Sequence, residues 1–381
     1  MTIIIFFIIL GVLVFVHELG HFLAAKKAGV KVDEFGFGYP PRALRIGEKW
    51  GTVFTLNWIP FGGFVKIFGE NYEEAEVAND SLRSQDATHI SLQEYSQPQP
   101  KSFVQVSKKW QATILAAGVV FNILFAWLLF TFGFLIGLPT SVDNTMGAEV
   151  KNPALTIIDI VPSSPAQVSG LKAGDKIMGI SYASNQVLQD LEPDIVSDFI
   201  NNSSGKVSFE IDRGGKTLNF EILPDAEIVE GKKIIGINMD IVGTLSLPIH
   251  KAIYEGGKTT LNIMHLTVSG ISNLIKDAVQ GDADMSNIAG PVGIVGLVGD
   301  ASRLGFAYLL TFTALISINL AIINLVPFPA LDGGRILFVM VEGIIKRPIN
   351  PKFAMIANTV GFALLIALML FITYRDILRL F

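Results

Sequence analysis

The sequence contains no cysteine among its 381 residues. A disulfide framework, a thiol nucleophile and a thiolate metal site are therefore excluded, so a metal in this chain would be bound by histidine and carboxylate side chains. Charged residues are also scarce, at 17%, whereas 50% of the residues are hydrophobic and the mean hydropathy is +0.50. This composition is too apolar for an ordinary soluble protein, and it predicts a few membrane spans together with a soluble domain.

Two further scarcities narrow the possibilities. The net charge of −5 is spread along the chain, with no basic cluster, which argues against a nucleic-acid partner. No lysine or arginine precedes the first apolar run, residues 2–16, and no small-residue cleavage site follows it. A secretory signal peptide would have a basic residue before its apolar run and a cleavage site after it. Because this sequence has neither, we expect a retained membrane span.

Histidine is rare, yet two of the five histidines stand four residues apart in the motif Val16-His17-Glu18-Leu19-Gly20-His21. On a helix His17 and His21 share one face and can bind one Zn²⁺, and Glu18 is placed to act as a general base toward water. The alternative is a helix end whose polar residues face the cytosol. Three ionisable side chains in an apolar run are costly without a function, which favours the zinc site.

Four apolar runs are long enough to cross a bilayer, which requires about 20 residues. They are residues 2–25, 112–137, 305–327 and 354–374. Lysines and arginines follow the first run, precede the second and separate the third from the fourth. The positive-inside rule then places the N-terminus outside, residues 26–111 inside, 138–304 outside and 328–353 inside.

The segment after the first run reads as β structure. Thr52–Leu56 and Gly63–Ile67 are predicted strands around Pro60-Phe61-Gly62. Their apolar character favours a β-hairpin that dips into the membrane, and a plain cytosolic hairpin is the alternative. Residues 70–107 are rich in Glu, Ser, Gln and Asn, which predicts a mobile cytosolic connector.

Residues 150–243 are predicted to form the soluble domain. Short strands with two short helices, including a hairpin across Gly214-Gly215, indicate a small, partly open β-barrel. Residues 247–304 form an amphipathic segment, from which we expect helices lying along the outer membrane surface. The remaining parts, residues 1–137 and 305–381, are predicted to form the membrane domain.

The third zinc ligand is predicted to be Asp332. Asp332 follows two prolines that end the third span, and Gly333 and Gly334 allow its backbone to approach another element. Asp332 could instead cap the next helix. His17 lies about 24 Å along a helix that starts outside, and Asp332 falls at the cytosolic end of the third span. Both residues are therefore expected near the cytosolic side of the membrane. Two neutral histidines, Asp⁻, Zn²⁺ and hydroxide sum to zero charge, which suits a site of low dielectric constant.

These motifs resemble those of a known family. The HExxH motif in the first span, Asn324-Leu325-Val326-Pro327-Phe328-Pro329-Ala330-Leu331-Asp332-Gly333-Gly334 and an inserted PDZ-like domain look like the site-2 protease family of intramembrane zinc metalloproteases, of the regulator of sigma-E protease type. The resemblance implies that His17, His21 and Asp332 bind zinc, that Glu18 is the catalytic glutamate and that Asn324 contacts the substrate backbone.

The resemblance has further implications for the substrate and its surroundings. Gly63, Phe64, Val65, Lys66 and Ile67 would form a membrane-reentrant β-loop that binds substrate. Ile235, Gly236 and Ile237 would line the groove of a circularly permuted PDZ domain. The expected location is the bacterial cytoplasmic (inner) membrane, with the N-terminus and the PDZ-like domain extracytoplasmic. The expected partners are the lipid bilayer and single-span substrates, such as anti-sigma factors or remnant signal peptides.

The sequence departs from the family pattern in three places, one of which is the connector 70–107, where no family pattern is matched. The space between the spans holds one PDZ domain, whereas members of this type often carry two. The family's Gly-Pro is Gly118-Val119 here, although Asn122 is kept.

We therefore predict a polytopic α-helical membrane protein of about four spans, with a membrane-associated β-hairpin and an inserted PDZ-like α+β domain. Its predicted activity is zinc-dependent hydrolysis of peptide bonds in or near transmembrane segments. Three alternatives remain: a non-catalytic PDZ membrane scaffold, a transporter, which would need paired broken helices, and a membrane zincin with a Glu ligand, which would need an E-x-x-x-[DH] helix. Neither of these last two features is visible in the sequence.

Overall fold

The computed structural model describes residues 1–70, 101–143, 149–161, 164–182, 187–188, 190–229, 232–281 and 289–378. Most of the predicted connector, residues 70–107, lies outside these ranges. So does Ser163, the first residue of one of the two short helices predicted within residues 150–243, which we expected at 163–168.

Nine α-helices and ten strands are present within the described residues. The helices are α1 Thr2–Lys27, α2 Lys108–Ile136, α3 Pro165–Ser169, α4 Pro193–Asn201, α5 Ile249–Gln280, α6 Pro291–Leu304, α7 Phe306–Leu325, α8 Asp332–Ile345 and α9 Pro351–Leu378. The strands are β1 Val32–Lys49, β2 Thr52–Ile67, β3 Leu138–Ser141, β4 Lys151–Ile160, β5 Lys176–Tyr182, β6 Val207–Asp212, β7 Thr217–Ile222, β8 Asp225–Val229, β9 Lys232–Ile234 and β10 Ile237–Leu245. A 3₁₀ turn, Phe103–Gln105, precedes α2.

Four of these helices, α1, α2, α7 and α9, are long and apolar enough to cross a membrane. Each contains most of one of the four predicted spans. The basic residues Lys26 and Lys27 occupy the last turn of α1, and Arg375 occupies the last turn of α9. The chain is therefore a multi-pass membrane protein by the length and composition of its helices.

The chain forms two compact units. One comprises residues 1–129, 257–299 and 313–381, and the other comprises residues 130–256 and 300–312. The second unit begins before residue 150, where we expected the soluble domain to start, because β3 joins its sheet beside β10.

The predicted hairpin between Thr52–Leu56 and Gly63–Ile67 is wrong in its pairing. Residues 34–37 lie between the two segments, pairing with 63–66 on one side and with 53–56 on the other. The tight turn is at Trp50 and Gly51, both with positive φ, where β1 runs into β2. The Gly-rich stretch around Gly36 and Gly38 therefore lies within strand β1.

Close packing explains why a strand tolerates these glycines. A Cβ at Gly36 would collide with the ring of Phe64 and would lie 2.6 Å from Nδ2 of Asn57. Gly62, at φ +72°, packs in the same way against Val14 of α1. The glycines let the strands approach each other and α1 closely, which composition alone does not show.

The last seven residues of the predicted connector are part of this structure. Lys31 N–H donates to the carbonyl of Lys101 at 3.0 Å, and Phe103 N–H donates to the carbonyl of Phe68 at 2.8 Å. The Phe103 side chain is buried beside Phe22 and Ile114. Residues 101–107 thus join the end of β2 to the start of α2.

The second unit is built on a six-stranded antiparallel sheet in the order β3-β10-β4-β5-β6-β7, beside a two-stranded sheet of β8 and β9. The β6–β7 hairpin agrees with the prediction. Among the described residues the outer strands β3 and β7 do not pair, so the predicted barrel is an open sheet. Ile157, Val196 and Phe209 are completely buried in its core. The helix α4 carries Val196 and so closes one face of this core.

The amphipathic segment forms α5 and α6. Within the first unit, Gly257 packs against the indole of Trp127 in α2, and the Thr267 hydroxyl donates to Asn319 Oδ1 of α7 at 3.1 Å. These contacts place part of α5 against two apolar helices, which differs from the expected position along the outer surface. At the start of α6, Gly293 N–H donates to the buried carboxylate of Asp376 at 2.8 Å.

Candidate active site

Helix α1 presents His17 and His21 one turn apart on a single buried face. This face can lie close to α2 because Gly20 has no side chain: a Cβ at Gly20 would collide with the carbonyl of Ala117. Gly118 on α2 faces the imidazoles directly. A Cβ there would lie 2.5 Å from His21 Nε2 and 2.7 Å from His17 Cε1. The helix contact is therefore shaped around the two histidines.

Asp332 meets the two histidines although it lies 315 residues from His17. Its Oδ2 atom is 2.9 Å from His17 Nε2 and 3.3 Å from His21 Nε2. The two Nε2 atoms are 3.2 Å apart. One oxygen and two nitrogens therefore form a small triangle of potential ligand atoms.

The hydrogen bond at the opposite nitrogen fixes the tautomer of His21. Its Nδ1 lies 2.8 Å from the carbonyl oxygen of Ile114, in buried surroundings. A carbonyl can only accept, so Nδ1 carries the proton and donates. Nε2 is then a bare acceptor that points at Asp332, as in a metal-ligating histidine.

Asn122 contacts Nδ1 of His17, as the Ile114 carbonyl contacts Nδ1 of His21. Its side-chain nitrogen lies 3.2 Å from His17 Nδ1, whereas its Oδ1 is buried without a hydrogen-bond partner. Exchanging the amide nitrogen and oxygen, which are nearly equal in size, lets Oδ1 accept from Nδ1–H and removes the unsatisfied oxygen. The Ser317 hydroxyl donates to the Asn122 carbonyl at 2.8 Å, which links α2 to α7. His17 Nε2 then also becomes a bare acceptor.

The donor set fits a zinc ion. With both Nδ1 atoms protonated, His17 Nε2, His21 Nε2 and Asp332 Oδ2 are three acceptors in mutual contact, and a Zn²⁺ ion between them would relieve the repulsion of their lone pairs. Bonds of about 2.0–2.1 Å in a tetrahedral site place ligand atoms roughly 3.3 Å apart, close to the separations of 2.9 to 3.3 Å seen here.

The turn between α7 and α8 delivers Asp332. A Cβ at Gly333 would collide with the carbonyls of Leu325 and Val326, so the glycine allows the first turn of α8 to pack on the end of α7. Ala330 has φ +76°, a conformation that usually requires glycine, and its N–H donates to Asn358 Oδ1 at 3.2 Å. The N-cap of α8 is Leu331, so Asp332 is not the capping residue that the alternative interpretation assumed.

Glu18 faces a cavity of about 420 Å³ that also contains His17, His21 and Asp332. The backbone N–H of Val65 hydrogen-bonds the Glu18 carboxylate. The other wall of the cavity consists of the end of β2 and of two charged side chains, one just after β2 and one on α8. These wall residues are Gly63, Phe64, Val65, Lys66, Ile67, Glu70 and Arg335.

The strand segment 63–67 pairs with β1 on one side, and its other side has no strand partner among the described residues. Asn324 lies in the last turn of α7 and is partly buried. It is not among the residues that line the Glu18 cavity. The structure therefore brings together the predicted zinc ligands, the glutamate and the β-strand around one cavity, and Asn324 is not among its lining residues.

Ile235, Gly236 and Ile237 lie in the second unit. Ile235 is buried in the core of the sheet, and its carbonyl accepts from Ala166 N–H. Gly236, at φ +78°, accepts from Val161 N–H. Ile237 begins β10 and pairs with β4, whereas β3 joins β10 only from Val242 onward. Within the described residues, the first part of β10 thus has one free edge.

Three residues of the site were missed or left without a role by sequence reasoning. On α2, Ile114 contacts His21, Asn122 contacts His17 and Gly118 lies against both histidines. Their spacing of four residues places them on one face of a helix, and a glycine and an asparagine on one face of an apolar span are the signal that could have revealed them.

The sequence profile of Peptidase family M50 matches residues 5–368. The chain belongs to this family. It is 30% identical over 439 residues to the regulator of sigma-W protease RasP of Bacillus subtilis, covering 100% of this chain and 99% of that protein. It is 28% identical over 438 residues to the zinc metalloprotease RasP of Geobacillus kaustophilus, covering 100% and 98%.

These findings confirm the predicted resemblance, the metalloprotease activity and zinc as the cofactor. The protein is a zinc metalloprotease of the site-2 protease type, and its four long apolar helices make it a multi-pass membrane protein. The similarity supports the protease and not the non-catalytic scaffold.

Proposed function

We propose that this metalloprotease hydrolyses peptide bonds within, or at the edge of, transmembrane segments of single-span membrane proteins. The observation that carries this proposal is the position of the site. His17, Glu18 and His21 lie on α1, which is long and apolar enough to span a bilayer, and Asp332 follows the end of α7, which is also long enough. A protease site built on spanning helices reaches peptide bonds at membrane depth.

His17, His21 and Asp332 would hold the zinc ion, which when bound would supply Lewis-acid chemistry toward the scissile carbonyl and the attacking water. Ile114 and Asn122 orient the imidazoles so that their Nε2 atoms point inward. Glu18 takes the proton from the attacking water and then passes it to the leaving amine. The N–H of Val65 holds the Glu18 carboxylate in place.

A helical substrate must unwind before cleavage because a helix uses its own carbonyls in hydrogen bonds. The side of residues 63–67 that has no strand partner among the described residues supports capture of an unwound substrate by strand addition, next to Glu18. Asn324, which follows the last buried residue of α7, Ile322, by two positions, would pair with freed backbone groups once the substrate has entered.

The second unit is proposed to be a PDZ-like domain that excludes uncut substrates by its bulk. One free edge at the start of β10, beside Ile235, Gly236 and Ile237, supports a PDZ-type groove. We further propose that four helices span the bacterial cytoplasmic membrane, with the N-terminus and this domain outside. The lysines at the end of α1 and at the start of α2 support that orientation.

The substrate class follows from the relatives. Because one relative is named as a regulator of sigma-W protease, we include anti-sigma factors among the proposed substrates, together with remnant signal peptides. Both would present a single apolar helix to the enzyme in the lipid bilayer.

The test is to map the cut by mass spectrometry after incubation of the purified enzyme with a single-span substrate in liposomes. The expected result is a cut inside the apolar segment or within a few residues of its end, and no cut by the Glu18→Gln variant. Cleavage confined to soluble loops far from the segment would contradict the proposal.

A further inference from the structure

A second cavity lies beside the catalytic one within the first unit. Its volume is about 380 Å³, in the range of ligand-binding cavities. It is bordered by the chain that enters α2, by α8 and by the start of α9. The residues at its wall that matter here are Glu70, Val104, Lys108, Arg335 and Glu342.

Glu70 and Arg335 line both cavities. Arg335 Nη1 donates to Glu70 Oε1 at 2.5 Å, so this ion pair is the shared wall between them. Arg335 stands one turn after Asp332 on α8, and Glu70 stands three residues after the strand segment 63–67. The pair therefore ties the end of that strand to the helix that carries a proposed zinc ligand.

The lining of the second cavity suits a polypeptide. Lys108 Nζ donates to Glu342 Oε2 at 2.5 Å, and Ile349 N–H donates to Glu342 Oε1 at 2.9 Å. Together with the Arg335–Glu70 pair, this gives the wall two positive and two negative side chains that neutralise each other in pairs. The apolar side chains of Phe103, Leu115, Phe338 and Val339 complete it. Such a wall offers a peptide both apolar contacts and polar atoms, and it favours neither positively nor negatively charged side chains.

The direction of the strand leads into this cavity. A chain added to the side of residues 63–67 that has no strand partner among the described residues would lie next to Glu18 and, beyond Ile67, would meet the Glu70–Arg335 pair. The second cavity begins at that pair and continues toward Lys108 at the start of α2. An extended substrate therefore passes from the first cavity into the second on leaving the strand.

We propose that the second cavity is a substrate subsite. It binds the extended stretch of the substrate that continues past the cut toward the side of the bilayer at which α2 begins. This inference rests on the proposed capture of substrate by residues 63–67. The Arg335–Glu70 pair positions the strand at the entrance to the subsite.

The test uses a substitution that narrows the cavity and leaves the catalytic group untouched. The Val104 side chain lines the second cavity and is 37% exposed, so Val104→Trp reduces the space with little effect on the core. Val120→Trp is the matched control, because Val120 is 47% exposed and lies on a different groove of α2. Zinc content of both variants should equal that of the wild type.

Each enzyme is assayed with two single-span substrates in liposomes. One retains the stretch past the cut, and the other ends about two residues beyond it. For the wild type and Val120→Trp, truncation should raise KM by about tenfold or more, the effect of losing roughly one buried apolar side chain. For Val104→Trp, the long substrate should already show the raised KM, so that truncation changes little.

Photo-crosslinking gives a readout independent of turnover. A benzophenone amino acid at position 104, in the Glu18→Gln background, should capture the substrate stretch past the cut, whereas the same group at position 120 should not. Equal KM for both substrates in the wild type would overturn the subsite while leaving the protease intact. Uniform slowing of both substrates by Val104→Trp would also overturn it. Absence of cleavage of every single-span substrate would instead contradict the proposed function.

Discussion

Nε2 of His17 lies 2.9 Å from Oδ2 of Asp332, across 315 residues of sequence. This contact joins α1, the first apolar helix, to the turn that follows α7, the third apolar helix. Because Ile114 and Asn122 hold the opposite nitrogens of His21 and His17, both Nε2 atoms face the Asp332 carboxylate as acceptors. The catalytic centre thus depends on the packing of α1, α2 and α7 and not on the HExxH motif alone.

Gly118→Ala is expected to disrupt zinc binding. The new Cβ would lie 2.5 Å from His21 Nε2, too close for the imidazoles to keep their positions. Because disturbing the groups that orient zinc-binding histidines reduces metal affinity by about 10–100-fold, the expected loss is at least of that order. Zinc titration of the purified variant measures it. Gly296→Ala, at a helical glycine with open space around it, is the control and should bind zinc normally.

Asn122 variants test the tautomer assigned to His17. Asn122→Leu removes the acceptor for Nδ1–H and should reduce zinc affinity by about 10–100-fold. Asn122→Asp keeps an acceptor at the same place and should bind zinc more tightly than the leucine variant. Competition with a zinc chelator gives both affinities. Equal affinities for the two variants would show that the contact between Asn122 and His17 is unimportant.

Much of the metal site could be predicted from the sequence, because HExxH spacing is local and Asp332 lies in a recognisable Pro-Gly setting. The pairing around Gly36 could not, since the partners of residues 34–37 lie in two separate segments and a glycine-rich stretch also suits a loop. The partnership of Glu70 with Arg335 spans 265 residues, and Glu70 fell inside a segment predicted to be mobile. Non-local contacts of this kind leave no periodic signal.

Val65→Pro tests the role of the strand next to Glu18. Proline removes the N–H that hydrogen-bonds the Glu18 carboxylate and also disrupts an edge available for strand addition. One hydrogen bond to a charged group corresponds to about 10–100-fold in rate, which is the expected loss of cleavage. Zinc content should remain unchanged. Val65→Ala keeps the N–H and should retain most activity. Full turnover by the proline variant would exclude this role.

Removal of the domain in the second unit tests substrate exclusion. Lys151 and Thr244 face each other across β4 and β10, so a short Gly-Ser linker can replace the residues between them. If the domain excludes substrates by bulk, the shortened enzyme should cleave substrates with large outer domains that the wild type leaves intact. The comparison is a gel-based cleavage assay with short and long substrates. Loss of cleavage of both substrates, with zinc retained, would indicate that the domain is required for catalysis.

The most direct test of the zinc centre combines metal analysis with cleavage of a single-span substrate. Wild type, Glu18→Gln and Asp332→Ala are compared after purification in detergent. We expect about one zinc per wild-type chain with cleavage, the same zinc without cleavage for Glu18→Gln, and strongly reduced zinc for Asp332→Ala, because three protein ligands are needed for a catalytic zinc. Undiminished zinc affinity in Asp332→Ala, or cleavage by Glu18→Gln at the wild-type rate, would contradict the account.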